Sequence, residues 1–247
     1  MKLKEKLIEG QLTVGSWITL AHPAIAEIMA KAGFEWLVVD LEHSVITIRE
    51  AEELIRIIEL CGVTPLVRLS SNDPVQIKRV MDAGAHGVIV PMVNSAEEAK
   101  KAVDAVYYPP IGSRGVGLAR AQKYGADFEG YKNWLKENAI VVVQIEHIKG
   151  VINLEEILAV DGIDGFIVGP YDLSGSLNIP GEFDHPEMLS ALDRIKDISK
   201  RVKKPSGFHV VQPDIDILMN KIDEGYQFIA FSVDFLFLGR ACRDSIR

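Results

Sequence analysis

The 247-residue sequence predicts an α/β fold, a (β/α)8 TIM barrel, and three observations carry that expectation. Eight short apolar runs recur along the chain, each followed by a turn and a stretch of helical period. Several runs are apolar at successive positions rather than alternating, as parallel strands covered on both faces require. Helical stretches repeatedly end near glycine, in Lys31-Ala32-Gly33, Asp82-Ala83-Gly84 and Asp223-Glu224-Gly225. A doubly wound open sheet is the competing reading of the same alternation.

The strand runs, in order, are Val14–Leu20, Trp36–Leu41, Thr64–Leu69, Gly87–Pro91, Ile140–Glu146, Gly165–Gly169, Gly207–Val211 and Phe228–Phe231. Between them, Ile48–Leu60 places Ala51, Leu54, Ile55 and Ile58 on one stripe, with Arg49, Glu52 and Glu59 outside it. Asp73-Pro74 opens another helix, with Asp as cap and Pro at the first position. Ser95, with Glu97 and Glu98 in an acidic first turn, opens a third. The expectation is one barrel domain over residues 1–247, interrupted by a long loop insert at about 107–138, part of it hanging over the catalytic face.

Composition narrows the function. A hydrophobic content of 48% supports a sizeable core, and a net charge of −8 with a pI near 5.3 argues against nucleic acid as partner. Small anionic substrates stay open, because one arginine and one metal reverse a local field. Cys61 and Cys242 are read as buried free thiols in a reducing compartment. The first residues lack the apolar stretch of a signal peptide, and no run spans a bilayer, so the expectation is a cytoplasmic protein with no membrane partner.

In a barrel of this kind, chemistry belongs to the C-terminal strand ends. Read in order, these carry Asp40-Leu41-Glu42-His43, Arg68, Gln144-Ile145-Glu146-His147, Gly169-Pro170-Tyr171-Asp172 and His209. Glu146 and Asp172 come from adjacent strand ends and would repel unless a cation sat between them. A hard divalent ion suits two carboxylates and waters; ordinary salt bridges are the alternative. Asp40 and His43 suggest a carboxylate–imidazole dyad, against a surface or helix-capping histidine. Arg68, in an apolar strand, should reach an anion or developing negative charge, unless it merely pairs with Glu42 or Glu146. Backbone N–H groups of the 169–175 turn could hold a carboxylate. No run contains lysine, no P-loop or GxGxxG turn occurs, and neither cysteine lies at a strand end. Metal-assisted proton abstraction with an enolate intermediate remains.

These motifs, with Gly15-Ser16-Trp17, Val67-Arg68, Pro91-Met92-Val93, Ser113-Arg114-Gly115-Val116-Gly117, Gln144-Ile145-Glu146 and Phe231-Ser232-Val233-Asp234, resemble the HpcH/HpaI aldolases. These are metal-dependent class II pyruvate aldolases on a phosphoenolpyruvate/pyruvate-type barrel, with 4-hydroxy-2-oxo-heptanedioate and 2-keto-3-deoxy acids among their substrates. The resemblance implies Glu146 and Asp172 as ligands of Mg2+, Mn2+ or Co2+, with pyruvate and waters completing the shell. It implies His43, oriented by Asp40, as the base acting through a metal-bound water, and Arg68 as the group stabilising the enolate. Gln144 would touch pyruvate, the N–H groups following Gly169 and Pro170 would hold its carboxylate, and Trp17 would line the site.

The implied reaction is reversible cleavage of a 4-hydroxy-2-oxo acid to pyruvate and an aldehyde. A homo-oligomer is implied as well, in relatives often a hexamer with the last helix exchanged between subunits. Tyr171 departs from the alanine common in relatives, and the last helix is short. Alternatives on the same residues are oxaloacetate decarboxylation, a CoA-ester lyase, or a non-catalytic keto-acid-binding protein.

Overall fold

In the computed structural model, which describes residues 1–246, eight parallel strands close on themselves in sequence order. They are β1 (Thr13–Ile18), β2 (Trp36–Asp40), β3 (Thr64–Arg68), β4 (Gly87–Val90), β5 (Ile140–Ile145), β6 (Gly165–Val168), β7 (Ser206–Val210) and β8 (Phe228–Val233). Pairing of β1 with β8, from Thr13↔Phe228 to Trp17↔Val233, decides for the barrel and against the open sheet. Every predicted run is a strand.

Two apolar layers hold the barrel. Its interior is filled by Trp36, Leu66, Ile89, Val142, Ile167 and Phe228, among others, with the Trp36 and Phe228 rings stacked at 4.1 Å. Gly15 makes room for them: a Cβ there would lie 2.0 Å from the Trp36 indole, so no larger residue fits. The outer layer lies between strands and helices. Helix Ile48–Leu60 buries Ala51, Leu54, Ile55 and Ile58 against it, the stripe read from the sequence. Thr47 and Glu50 close its first turn as a capping box. Gly33, Gly84 and Gly225 take positive φ (+98°, +101°, +93°) where three helices end.

The N-terminal end of the barrel is plugged by helix Leu3–Ile8, whose Leu3 and Leu7 join the interior cluster. From it, Lys4 reaches Asp164 at 3.1 Å, the Ala139 carbonyl at 2.6 Å and the Tyr107 hydroxyl at 3.1 Å.

The 107–138 segment differs from expectation in content and position. It contains a 3-10 turn, Arg120–Gly125, and a helix, Phe128–Asn138. Arg120 donates to the Ala83 carbonyl at 3.1 Å and pairs with Glu59, while Arg114 donates to the Tyr131 hydroxyl at 2.9 Å. Glu59 and Ala83 lie where helices Ile48–Leu60 and Pro74–Asp82 end, which is where strands begin. The segment therefore packs on the N-terminal side of its own barrel, not over the catalytic face. The reason is topological: it connects the end of helix Ala96–Val106 to the start of β5, and helices run antiparallel to strands.

The cysteines are free but not buried, Cys61 being half-buried and Cys242 exposed. Among the described residues, no helix is long and apolar enough to cross a membrane.

Candidate active site

Alternation along the odd strands builds the floor of the site. Two residues beyond interior Leu66, Val142 and Gly207 come Arg68, Gln144 and His209, and β1 contributes Trp17. Trp17 joins this layer: the Arg68 guanidinium lies 4.3 Å above its ring and the His209 ring centroid 5.3 Å away.

Strand register decides the partner of Asp40. The β2–β3 ladder sets Asp40 directly opposite Arg68. The guanidinium donates through Nε to Oδ1 at 2.8 Å and through Nη2 to Oδ2 at 2.6 Å, a two-pronged fit. Arg68 Nη1 also lies 3.2 Å from Glu42 Oε2. Burial disfavours the Arg68 cation, but Asp40, Glu42 and Glu146 more than offset it and raise its pKa.

The expected Asp40–His43 dyad is therefore not formed in this structure. Both Asp40 oxygens are held by Arg68, and Oδ1 also accepts the backbone N–H groups of Glu42 at 3.0 Å and His43 at 3.4 Å. Asp40 shapes the turn that carries His43 without touching its ring. The ring itself is exposed, with Nε2 3.9 Å from Glu42.

Glu146 is 2% exposed and takes two hydrogen bonds, from the Met92 N–H at 2.7 Å and from the Gln144 side chain. Met92 delivers that N–H from a left-handed backbone conformation, φ +54°, which is costly for a residue with a Cβ. Gly169 packs on the other side: a Cβ there would sit 2.9 Å from Glu146 Oε2. Burial raises the Glu146 pKa to about 7, the charge of Glu42 adds to the rise, and the two hydrogen bonds partly offset it. Glu42 is also pushed up to about 7, by burial first, with Arg68 opposing and Asp40 and Asp172 reinforcing.

Asp172 lies in the first turn of helix Pro170–Ser176, beyond Gly169 and the buried Pro170, with its side chain exposed. The N–H groups of Tyr171 and Asp172 occupy the turn where a helix offers its own N–H groups no carbonyl. The Tyr171 ring packs edge-on against Phe183 at 5.0 Å.

Three carboxylates, Asp40, Glu42 and Glu146, thus act on one guanidinium, Asp172 adds its charge beside Glu42 and Glu146, and buried Gln144 Oε1 has no hydrogen-bond partner. Such an excess of oxygen donors and negative charge fits a hard divalent cation. Among the described residues, no group of three or more His, Cys, Asp or Glu side chains could hold an ion.

Comparison with known proteins is decisive for the family. A model of the family described as HpcH/HpaI aldolase/citrate lyase matches residues 13–240. The chain belongs to this family. It is 39% identical over 235 residues to the hydroxypyruvate/pyruvate aldolase of Sagittula stellata, covering 94% of this chain and 91% of that one. It is 38% identical over 240 residues to the 4-hydroxy-2-oxo-heptane-1,7-dioate aldolase of Salmonella heidelberg, covering 96% and 90%. A crystal structure of an HpcH/HpaI aldolase/citrate lyase family protein from Burkholderia cenocepacia superposes with a TM-score of 0.94 at 31% identity, over 99% of this chain and 97% of that chain.

Two contributions to this site received no functional role from the sequence. The sequence offers Glu42 only as an alternative partner of Arg68, a contact that forms at 3.2 Å. Met92 stands in the motif Pro91-Met92-Val93, but the aim of its N–H depends on a backbone conformation that residue types do not state.

Proposed function

We propose that the enzyme is a divalent-metal-dependent aldolase that reversibly cleaves a 4-hydroxy-2-oxo acid to pyruvate and an aldehyde. The observation that carries this is Glu146, a buried carboxylate held by two N–H donors beside other acids, its position suited to a bound cation. Glu146 and Asp172 would hold the ion, Mg2+, Mn2+ or Co2+, and when bound it supplies electrophilic stabilisation of charge at the keto oxygen. Two relatives named as aldolases favour aldol cleavage over the decarboxylase and CoA-ester lyase alternatives.

The chain's own residues take the remaining roles. Arg68 presents fixed positive charge to the oxygen that becomes negative as the carbon–carbon bond breaks, and Asp40 keeps the guanidinium in place. Gln144 and the first-turn N–H groups of helix Pro170–Ser176 orient the 2-oxo acid, with Trp17 below it. His43, exposed at the mouth, exchanges the proton between substrate and solvent. Assembly as a homo-oligomer, a hexamer on the family resemblance, accords with Phe235 and Leu238 standing half-exposed on the last helix, Asp234–Ser245.

Proton NMR of pyruvate in D2O tests the proposal without a choice of aldehyde. The methyl signal is expected to fade with enzyme, to persist with chelator and to fade again on adding Mn2+. Persistence under every metal would overturn the reading.

A further inference from the structure

The seam between β8 and β1, where the barrel closes, carries an irregularity beside the site. Gly15 pairs with Ala230 and Trp17 with Val233, so Phe231 and Ser232 together stand against Ser16 alone. Against β7 the same strand keeps its register through Val210↔Phe231. Ser232 is fully buried and takes a left-handed conformation, φ +53°, which a residue with a Cβ adopts only at a cost. Bulges of this kind re-aim neighbouring groups and recur next to active sites. The Ser232 carbonyl accepts from the Ser16 hydroxyl at 3.2 Å, and the Ser232 hydroxyl donates to the Val211 carbonyl at 3.0 Å.

Asp234, two residues further on, makes a second tie to β1. It is 4% exposed, and its carboxylate accepts only from neutral groups. Oδ2 takes the N–H groups of Thr19 and Leu20, each at 2.8 Å. Oδ1 takes the Thr19 hydroxyl at 2.7 Å and the Phe235 N–H at 2.8 Å. Only the Phe235 bond serves the helix that Asp234 begins; the others hold the turn after β1. Bonds to an ionised acceptor are roughly twice as strong as neutral ones, so this turn is firmly fixed.

Trp17 lies between the two ties, with Ser16 fastened before it and Thr19 and Leu20 after it. The Arg68 guanidinium rests on its ring at 4.3 Å. Asp40 grips Nε and Nη2 along the edge of that guanidinium, which leaves its tilt to whatever covers its face.

We propose that Asp234 is a positioning residue: by fixing the turn after β1 against the bulged end of β8, it holds the Trp17 ring beneath Arg68. The consequence for turnover rests on the aldolase reading; the consequence for Trp17 does not.

The chain has three tryptophans, so fluorotryptophan labelling gives three fluorine resonances, and Trp17→Phe identifies the one from Trp17. In Asp234→Ala that resonance should shift or broaden while those of Trp36 and Trp134 hold. Exchange of the pyruvate methyl by the Mn2+-loaded enzyme should fall about ten- to a hundredfold at saturation, with KM little changed, because Arg68 acts on charge that develops after binding. Asp234→Asn keeps one oxygen for the two turn N–H groups and should recover part of both effects. In a Trp17→Leu background, Asp234→Ala should alter exchange by less than about twofold, since the ring it positions is gone. Thr19→Val deletes a single donor; it should move the Trp17 resonance less and carries the test should Asp234→Ala fail to fold. A Trp17 resonance unmoved in both variants would overturn the proposal. So would an equal loss of exchange in the Trp17→Leu background, the mark of a merely structural role. Absence of exchange in the wild-type enzyme would sink the aldolase reading instead, and the Trp17 resonance alone would then decide the placement.

Discussion

Both ends of the barrel bury an acid, and they treat it differently. At the N-terminal end Asp164 pairs with Lys4 at 3.1 Å and accepts the Val141 N–H at 2.8 Å. Lys4 in turn donates to the Ala139 carbonyl and the Tyr107 hydroxyl, so the cluster is complete. At the C-terminal end Glu146 has two N–H donors and faces the charges of Glu42 and Asp172. The first arrangement stabilises the fold by itself; the second, on the proposed function, is completed by a cation from outside. This is the division expected of a barrel whose N-terminal face serves stability and whose C-terminal face serves chemistry.

Substitutions at the two ends should separate along this line. Glu146→Gln is expected to lower pyruvate exchange by about a thousandfold or more, since it removes an ionic ligand at the proposed centre. Thermal melting of the metal-free protein should not fall, because a buried charge is removed as well. A sharp drop in melting temperature with activity retained would reverse the comparison.

Arg68→Ala crosses the divide. It should reduce turnover by about a hundredfold or more and also cost about 3–5 kcal/mol, because Asp40 is left buried without its partner. Chemical denaturation and exchange kinetics read the two effects separately. Lys4→Met should cost a similar 3–5 kcal/mol or so through unpaired Asp164 while leaving turnover in place. Lost turnover in a folded Lys4→Met protein would show that the two ends are coupled.

The pH dependence sharpens the contrast further. In the metal-free fold Glu146 and Glu42 keep protons up to about 7, whereas the unfolded chain releases them near 4.5. The folded state therefore binds more protons across that interval, and metal-free stability should fall as pH rises from about 4.5 to about 7, then level. Melting curves across this range, with chelator and with Mn2+, check it; added metal should remove the decline. The smallest effect is expected from the exposed pair Arg201–Glu155, 3.1 Å apart, where Arg201→Ala should change stability by less than about 1 kcal/mol.

Much of the proposed site was legible because a barrel turns strand ends into one surface. Asp40, Arg68, Gln144 and Glu146 stand out as charged or polar groups at the ends of apolar runs, with Asp172 in the turn beyond one. The partner of Asp40 does not. Asp40 turned from His43 to Arg68 because the β2–β3 register places the two side by side, and register is a property of two strands together. The length of the 107–138 segment does not say where it lies; the side of the barrel follows from which element it leaves, and it leaves a helix.

By itself, the sequence determined the barrel, the order of its strands, the helix stripes and the acidic and basic strand ends. These follow from local periodicity and composition, which are written residue by residue. Only the tertiary structure decided that Met92 would lend a strained N–H to Glu146, that Gly169 would leave space beside it, and that Trp17 would pack against both Arg68 and His209. Each of these depends on distances between strands far apart in the chain, and such distances exist only once the barrel has closed.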